Sequence, residues 1–443
     1  MNIQQLYQLY RQHPCITTDS RNCPEGSIFL ALKGDNFDGN RYALEALAKG
    51  CAYAIVDTPP ATPDERVITV DDCLKTFKLL AREHRRQFHI PVVGITGTNG
   101  KTTTKELVAA VLAEKYNVLY TEGNFNNDVG VPKTLFKLTP EHDIAVVEMG
   151  ASHPGDIKTL AETAEPTCGL ITNVGRAHLQ GFGSFEGVVK TKGELYDYLR
   201  TRQDGLVFLN ADNPYLTDML SDELWVTPYS TDPEKQYECI SGEVLSCSPY
   251  LKFRWREPLG ELERTGRSTK WHKVQTRLVG AYNIDNLLAA IAVGINFNVD
   301  RKQICHALEH YVPRNNRSQL TVTDHNHLVV DAYNANPSSM AAALDNFRLM
   351  DVPRKMLILG DMRELGSASA EEHQRIADQI AAVGAEQVWL VGEEFARVSC
   401  PGSRKFDNVD QVKEALAGEQ PRDCYILIKG SNSMRLYELP ALL

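Results

Sequence analysis

The stretch Gly94-Ile-Thr-Gly97-Thr-Asn-Gly100-Lys101-Thr102 decides how this chain is read. The apolar run Pro91 to Thr96 leads into it and reads as a strand, and the run Thr102 to Lys115 reads as a helix. A strand, a glycine-rich turn and a helix in that order make a phosphate-binding loop. The glycines let successive backbone N–H groups converge on one point, and the helix start adds positive potential there. Lys101 can then reach β- and γ-phosphates, and the Thr102 hydroxyl can hold Mg²⁺. The strict spacing asks for glycine at position 95, where this chain has Ile95; the glycine falls one place earlier. A second apolar strand, Asp143 to Glu148, ends in an acid, where such folds orient Mg²⁺ or its water. The Asn-Lys-x-Asp string of guanine readers is absent, which favours ATP.

Working outward, strands alternate with helices. Asp156 to Ala164 reads as a helix and Thr167 to Thr172 as a strand, so the central stretch is a parallel sheet flanked by helices. Residues 229–278 read as β hairpins on its edge, followed by a helix from Asn283 to Phe297. Beyond Pro313 the alternation restarts with strands at Leu328 to Ala332, Lys355 to Leu359, Gln387 to Val391 and Asp423 to Lys429. That is a second doubly wound unit. Before Pro91, short strands and the helical runs Tyr42 to Lys49 and Asp71 to Phe88 make a small α/β unit. The expected architecture is α/β with three domains, at 1–90, 91–312 and 313–443, which suits a length of 443 residues. Pro91 and the stretch Tyr311 to Asn315 are the candidate hinges for closing a cleft over ATP.

Composition excludes several classes. A net charge of −10 argues against broad nucleic-acid binding, which needs a positive field. No long apolar span suggests a membrane helix, and the polar start Met1 to Pro14 lacks the pattern of a secretory signal. The ten cysteines are scattered with no Cys-x-x-Cys pair, as expected of free thiols in a reducing cytosol.

The motifs taken together resemble the Mur ligases, the amide ligases of peptidoglycan precursors, over nearly the whole chain and in order. Gly97-Thr-Asn-Gly-Lys-Thr-Thr103 resembles the family's ATP loop. Asp19-Ser20-Arg21 is similar to its uridine-diphosphate-binding start. The run Thr121 to Pro132, carrying Asn124, Asn126 and Asn127, resembles its substrate loop. Asn173-Val-Gly-Arg-Ala-His178, Lys190-Thr-Lys192-Gly-Glu194 and Gly280-Ala-Tyr-Asn283-Ile-Asp-Asn286 complete the central part. Asp331-Ala-Tyr-Asn334-Ala-Asn336-Pro337 and Leu359-Gly-Asp361-Met-Arg363-Glu364-Leu-Gly366 resemble the branch of the family that adds D-alanyl-D-alanine. The Asp-Asn-Pro-Arg signature of the branch that adds diaminopimelate or lysine is absent.

The resemblance implies a chemistry and its residues. A peptide carboxylate of UDP-N-acetylmuramoyl-tripeptide attacks the γ-phosphate of ATP, and the amine of D-alanyl-D-alanine displaces phosphate from the acyl phosphate. The implied catalytic residues are Lys101, Glu148, His178 and Lys192, with Thr102 and Glu148 on one Mg²⁺ and His178 on a second. Lys192 matches a lysine that is carbamoylated in several relatives. Gly97, Thr98, Asn99, Gly100, Lys101, Thr102, Thr103, Asn283, Asn286, Arg317 and Asp331 are implied around ATP. Ser20, Arg21, Asn124, Asn126, Asn127, Asn334 and Asn336 are implied around the two substrates. Asn316 stands where many relatives have glycine before the arginine. A cytoplasmic monomer working without nucleic acid or membrane is the expectation.

Other readings are weaker. His306-Ala-Leu-Glu309-His310 matches an inverted zinc-protease string, but zinc hydrolysis leaves the phosphate loop unexplained. A folate polyglutamate ligase shares the architecture, and a non-catalytic ATP-binding relative is the remaining alternative. The Asp19-Ser20-Arg21 start weighs against the first, and the set Lys101, Glu148, His178 and Lys192 against the second.

Overall fold

The structure, a computed structural model, describes residues 1–34, 36–260, 270–313 and 319–443. Three large sheets follow one another along the chain. The first has four parallel strands, in the spatial order Ile16–Thr17, Ile28–Leu30, Tyr53–Val56 and Val67–Thr69. The second has nine strands. In it Val92–Thr96 lies between Cys168–Ile171 and Ile144–Glu148, and all three run parallel. The third has six strands, five of them parallel, with Gln319–Val322 antiparallel at one edge. The chain is therefore a mixed α/β protein, as the alternation of strands and helices predicts.

The buried strands are the near-continuous apolar runs expected of parallel sheets covered on both faces. Every residue of Val92–Thr96 and of Ile144–Glu148 is buried. The helix Lys101–Ala113 packs its Leu107, Val108, Val111 and Leu112 into a cluster shared with Ile284–Asn296. The latter is buried along nearly all its length, so the greasy run around Leu287 is a core helix.

Three regions differ from the sequence reading. The expected hairpins are joined through Trp225–Ser230 and Ile240–Cys247, which first extend the parallel sheet. Only Tyr250–Arg256 and His272–Val279 continue it antiparallel. The polar start folds as a helix, Ile3–Gln12, because an Asn2–Gln5 capping box closes its first turn and Leu6, Tyr7 and Tyr10 face the core. The strand Arg404–Phe406 and the helix Val409–Gly418, capped by Asn408, fill a stretch that the reading left without elements.

The N-terminal sheet is fastened to the central one. His84 bridges them: Nε2 donates to the Leu138 carbonyl at 3.1 Å, leaving Nδ1 to accept from the Tyr7 hydroxyl at 3.0 Å. Burial holds its imidazole below the ordinary pKa, in keeping with a neutral ring. Arg85 is 7% exposed and donates to the carbonyls of Phe88, Ile90, Ala164 and Glu165 at 2.7 to 3.3 Å. Arg86 pairs with Glu165 beside it. The connection at Pro91 is thus pinned from both sides.

Among the described residues no helix is long and apolar enough to cross a membrane, and all ten cysteines are free. Replacing Arg85 by alanine strands several buried carbonyls. The expected cost is about 3 kcal/mol, seen as a lower denaturant midpoint. An unchanged midpoint contradicts the fastening role.

Candidate active site

The loop between Thr96 and Lys101 closes tightly against the next strand. Gly97 has φ +142°, and a Cβ there would stand 2.0 Å from the Thr172 hydroxyl. Gly100 has φ +78°, and a Cβ there would stand 2.6 Å from Asn286 Oδ1. Only glycine meets both demands without strain. Asn173, a residue the sequence reading left out of the site, braces the loop from just beyond the neighbouring strand: its Oδ1 accepts the Asn99 N–H at 3.0 Å and its Nδ2 donates to the Asn99 carbonyl at 3.0 Å. Lys101 Nζ lies along the loop, donating to the carbonyls of Gly97 at 2.9 Å and Thr98 at 3.0 Å.

Glu148 stands at the end of its strand, 1% exposed. Its Oε1 accepts from the Thr102 hydroxyl at 3.2 Å and from Asn126 Nδ2 at 2.7 Å. Its Oε2 is buried and accepts no hydrogen bond among the described residues; Lys105 Nζ approaches it to 3.9 Å. A threonine hydroxyl beside a carboxylate with a free buried oxygen is a hard-oxygen donor set, and it fits Mg²⁺. Lys105 lies one helical turn after Lys101 and is fully buried, and its Nζ also reaches the Gly123 carbonyl at 3.3 Å. It was missed because a lysine inside a helical run reads as a solvated face; its i+4 spacing from Lys101 was the available signal.

His178 follows the strand Cys168–Ile171 in a left-handed conformation, φ +49°. Burial lowers its pKa, opposed by the Glu364 carboxylate that contacts Nδ1. Lys192 projects from the helix Phe185–Arg200 and is 2% exposed. Burial, aided by the charge of Lys101, depresses its ammonium pKa to about 7. Asn283 and Asn286 are tied to the protein. Asn286 Nδ2 donates to Asn283 Oδ1 at 2.9 Å, Asn286 Oδ1 accepts from Thr104 at 3.0 Å, and Asn283 Nδ2 donates to the Val279 carbonyl at 2.9 Å. Both brace the base of the phosphate-loop helix.

The third sheet closes the other wall. Asn336 caps the helix Pro337–Leu349 and donates through Nδ2 to Asn99 Oδ1 at 2.8 Å, so it touches the phosphate loop directly. Ser338 Oγ accepts the Arg176 N–H at 3.1 Å, and the Arg176 guanidinium meets Glu372 at 3.2 Å. Asp331 is paired with the buried Lys429, whose Nζ also donates to the Asn334 carbonyl at 3.4 Å.

The result is one cleft of about 870 Å³. It brings together Thr98 to Thr103, Asn124, Asn126, Asn127, Glu148, His178, Asn283, Asn286, Asp331, Asn334 and Asn336. Tyr282, Tyr333, Glu364 and Lys429 line it too. Gly97 shapes the loop from behind the wall. Ser20, Arg21 and the buried Lys192 are not among the lining residues; Arg21 is exposed and paired with Asp19, and Ser20 is buried with its carbonyl held by Lys49 at 2.9 Å. Arg317 lies outside the described residues. His306, from the zinc-like string, pairs with Glu114 at 2.9 Å and lies tilted against the His310 ring. Among the described residues no group of three His, Cys, Asp or Glu is arranged to hold a metal ion.

Three α/β units around a phosphate loop whose cleft is walled by two of them define a class, the three-domain phosphate-loop ligases. Family models for the Mur ligase catalytic domain, the Mur ligase middle domain and the Mur ligase glutamate ligase domain match residues 14–88, 95–294 and 316–432. The chain is 33% identical over 437 residues to UDP-N-acetylmuramoyl-tripeptide--D-alanyl-D-alanine ligase of Escherichia coli (strain K12), covering 96% of this chain and 92% of that one. The protein of the same name in Bacillus subtilis (strain 168) is 31% identical over 437 residues, with the same coverage of 96% and 92%. A crystal structure of MurF from Acinetobacter baumannii superposes with a TM-score of 0.88 at 27% identity, over 99% of this chain and 98% of that one. The chain belongs to the Mur ligase family.

Gly100→Ala tests the loop geometry. Left-handed strain and the contact with Asn286 are expected to weaken ATP binding at least about tenfold, read by calorimetric titration. Parent-like affinity contradicts it.

Proposed function

We propose that the chain is an ATP-dependent amide ligase that joins D-alanyl-D-alanine to UDP-N-acetylmuramoyl-tripeptide, in cytoplasmic assembly of peptidoglycan precursor. The observation that carries this reading is the cleft itself: Lys101, Thr102 and the free oxygen of Glu148 share it with His178, Asn334 and Asn336 from two different sheets. The names of its relatives support the same substrates.

The reaction brings two anions together, a carboxylate and the ATP tail, so cations must gather where charge develops. Lys101 leaves the loop carbonyls to meet the β- and γ-phosphates, while loop N–H groups hold the rest of the tail. Thr102 and Glu148 would hold Mg²⁺, and His178 a second one; bound there, the metal neutralises phosphate oxygens. The carboxylate oxygen forms a bond to the γ-phosphorus, ADP leaves, and the acyl phosphate forms. The D-alanyl-D-alanine amine then attacks the activated carbonyl and phosphate departs. Closure of the cleft between the two units would keep water from that mixed anhydride.

The units 1–90, 91–312 and 313–443 divide the work. Ser20 and Arg21 serve the uridine diphosphate, and Asn124, Asn126 and Asn127 the peptide. Asn283 and Asn286 border the adenine end, and Asp331 offers the ribose the oxygen not held by Lys429. Arg317 would stand by the phosphates, and Asn334 and Asn336 face the incoming dipeptide.

Lys192 is suited to carbamoylation: its buried, depressed amine is neutral at mildly alkaline pH and can add CO₂, releasing one proton. Carbon-13 NMR after labelled bicarbonate is expected to show a carbamate near pH 8. The signal should fade toward pH 6, below the pKa of about 7, as the amine protonates. Active enzyme without that signal rules the modification out.

Phosphate release against a panel of UDP-linked di- and tripeptides, with D-alanyl-D-alanine or single amino acids, tests the whole reading. Release should require the tripeptide and the dipeptide together. Release independent of either one contradicts it.

A further inference from the structure

The loop after the strand Lys355–Gly360 is held at three successive residues. Asp361 is fully buried and its carboxylate accepts the N–H groups of Glu394 at 3.1 Å and Phe395 at 2.9 Å. Gly392 lies so close that a Cβ there would stand 2.3 Å from the Asp361 carboxylate. The Met362 N–H donates to His373 Nε2 at 3.0 Å, and His373, also fully buried, is fixed in that tautomer by Nδ1 donating to the Ser369 carbonyl at 2.7 Å. The Arg363 N–H donates to Ser431 Oγ at 3.1 Å. The next residue, Glu364, is left at the tip with φ +62°, a conformation a non-glycine residue adopts only when its surroundings impose it.

Its carboxylate reaches across to the central unit and contacts His178 Nδ1. His178 is itself left-handed, so two strained non-glycine residues meet across two sheets. The main chain follows: the Glu364 carbonyl accepts the Gln180 N–H at 3.5 Å, and Gly366 lies against Gln180. A carboxylate can only accept from a ring nitrogen that carries a proton, and in the neutral ring, which burial favours here, that leaves the other nitrogen with its lone pair free.

We propose that Glu364 is a positioning residue brought by the C-terminal unit, whose carboxylate against His178 Nδ1, an atom with no hydrogen-bond partner among the described residues, favours the tautomer protonated there and so presents Nε2 to the cleft. His178 is then a competent ligand only when the C-terminal wall is docked. The arrival of the unit that carries the amine acceptor site is thereby tied to the metal side of the reaction. This rests on the proposed ligase reading.

The test compares the full-length parent with Glu364→Ala and Glu364→Gln. Carboxylates that orient a metal-bound histidine are typically worth about 10- to 100-fold. Glu364→Ala is expected to lose about that factor in kcat, with KM for ATP within about twofold. Mn²⁺ binding in the presence of ADP, followed by electron paramagnetic resonance, should weaken by about tenfold. Glu364→Gln keeps an acceptor oxygen and should retain most of both. Where the alanine variant fails to fold, Glu364→Asp, whose shorter side chain draws the carboxylate back from the ring, carries the same expectation. An alanine variant with parental kcat and Mn²⁺ affinity overturns the proposal, as does a glutamine variant as impaired as alanine. If the parent itself releases no phosphate with both substrates, it is the ligase reading that fails; an active parent with an unaffected alanine variant sinks only the role of Glu364.

Discussion

A buried carboxylate organises this molecule. Glu148 is almost wholly removed from solvent at the end of a buried strand, and a charge there is stable only if its surroundings answer it. Thr102, Asn126 and Lys105 do so from the phosphate-loop helix and the substrate loop. Each of these side chains is thereby fixed relative to the others. Lys105 adds the Gly123 carbonyl to the same set, so one cluster ties the phosphate-loop helix to the run Thr121 to Pro132. The free Oε2 is the part of this cluster that remains to meet a cation.

Everything else is arranged at the rim of that cluster. Gly97 and Gly100 let the loop fold against Thr172 and Asn286, and Asn173 holds Asn99 in place. The third unit then engages the loop through Asn336 and the segment after the strand Cys168–Ile171 through Ser338 and Glu372. Beside these polar contacts, Asn346 accepts the Ala281 N–H at 3.0 Å, and Val279 and Tyr250 of the central sheet pack against the C-terminal core. The N-terminal unit is held differently, by Arg85 and His84 in buried, fully bonded positions. Of the two candidate hinges, Pro91 is the pinned one.

Much of this was legible in the sequence because the decisive signals are local. A phosphate loop needs glycines at fixed places between a strand and a helix, and Glu148 follows from an apolar run ending in an acid. Parallel strands announce themselves by apolar runs, so the central and C-terminal alternation was readable, whereas Arg404–Phe406 is short, charged and at an edge. The helix Ile3–Gln12 hid behind a polar composition, although its Asn2–Gln5 box was present. Contacts between distant segments left no local trace. Lys105 beside Glu148 and Asn173 on Asn99 arise from packing within the central unit, and Glu364 on His178 from the meeting of two units. The depressed amine of Lys192 is likewise a product of burial, not of its neighbours in sequence.

The central claim is that this cleft activates a carboxylate by phosphorylating it. The most direct measurement uses UDP-N-acetylmuramoyl-tripeptide with oxygen-18 in its terminal carboxylate, ATP and D-alanyl-D-alanine, and weighs the released phosphate. An acyl phosphate places one oxygen-18 atom in each phosphate formed. Amide product accompanied by unlabelled phosphate would contradict the account.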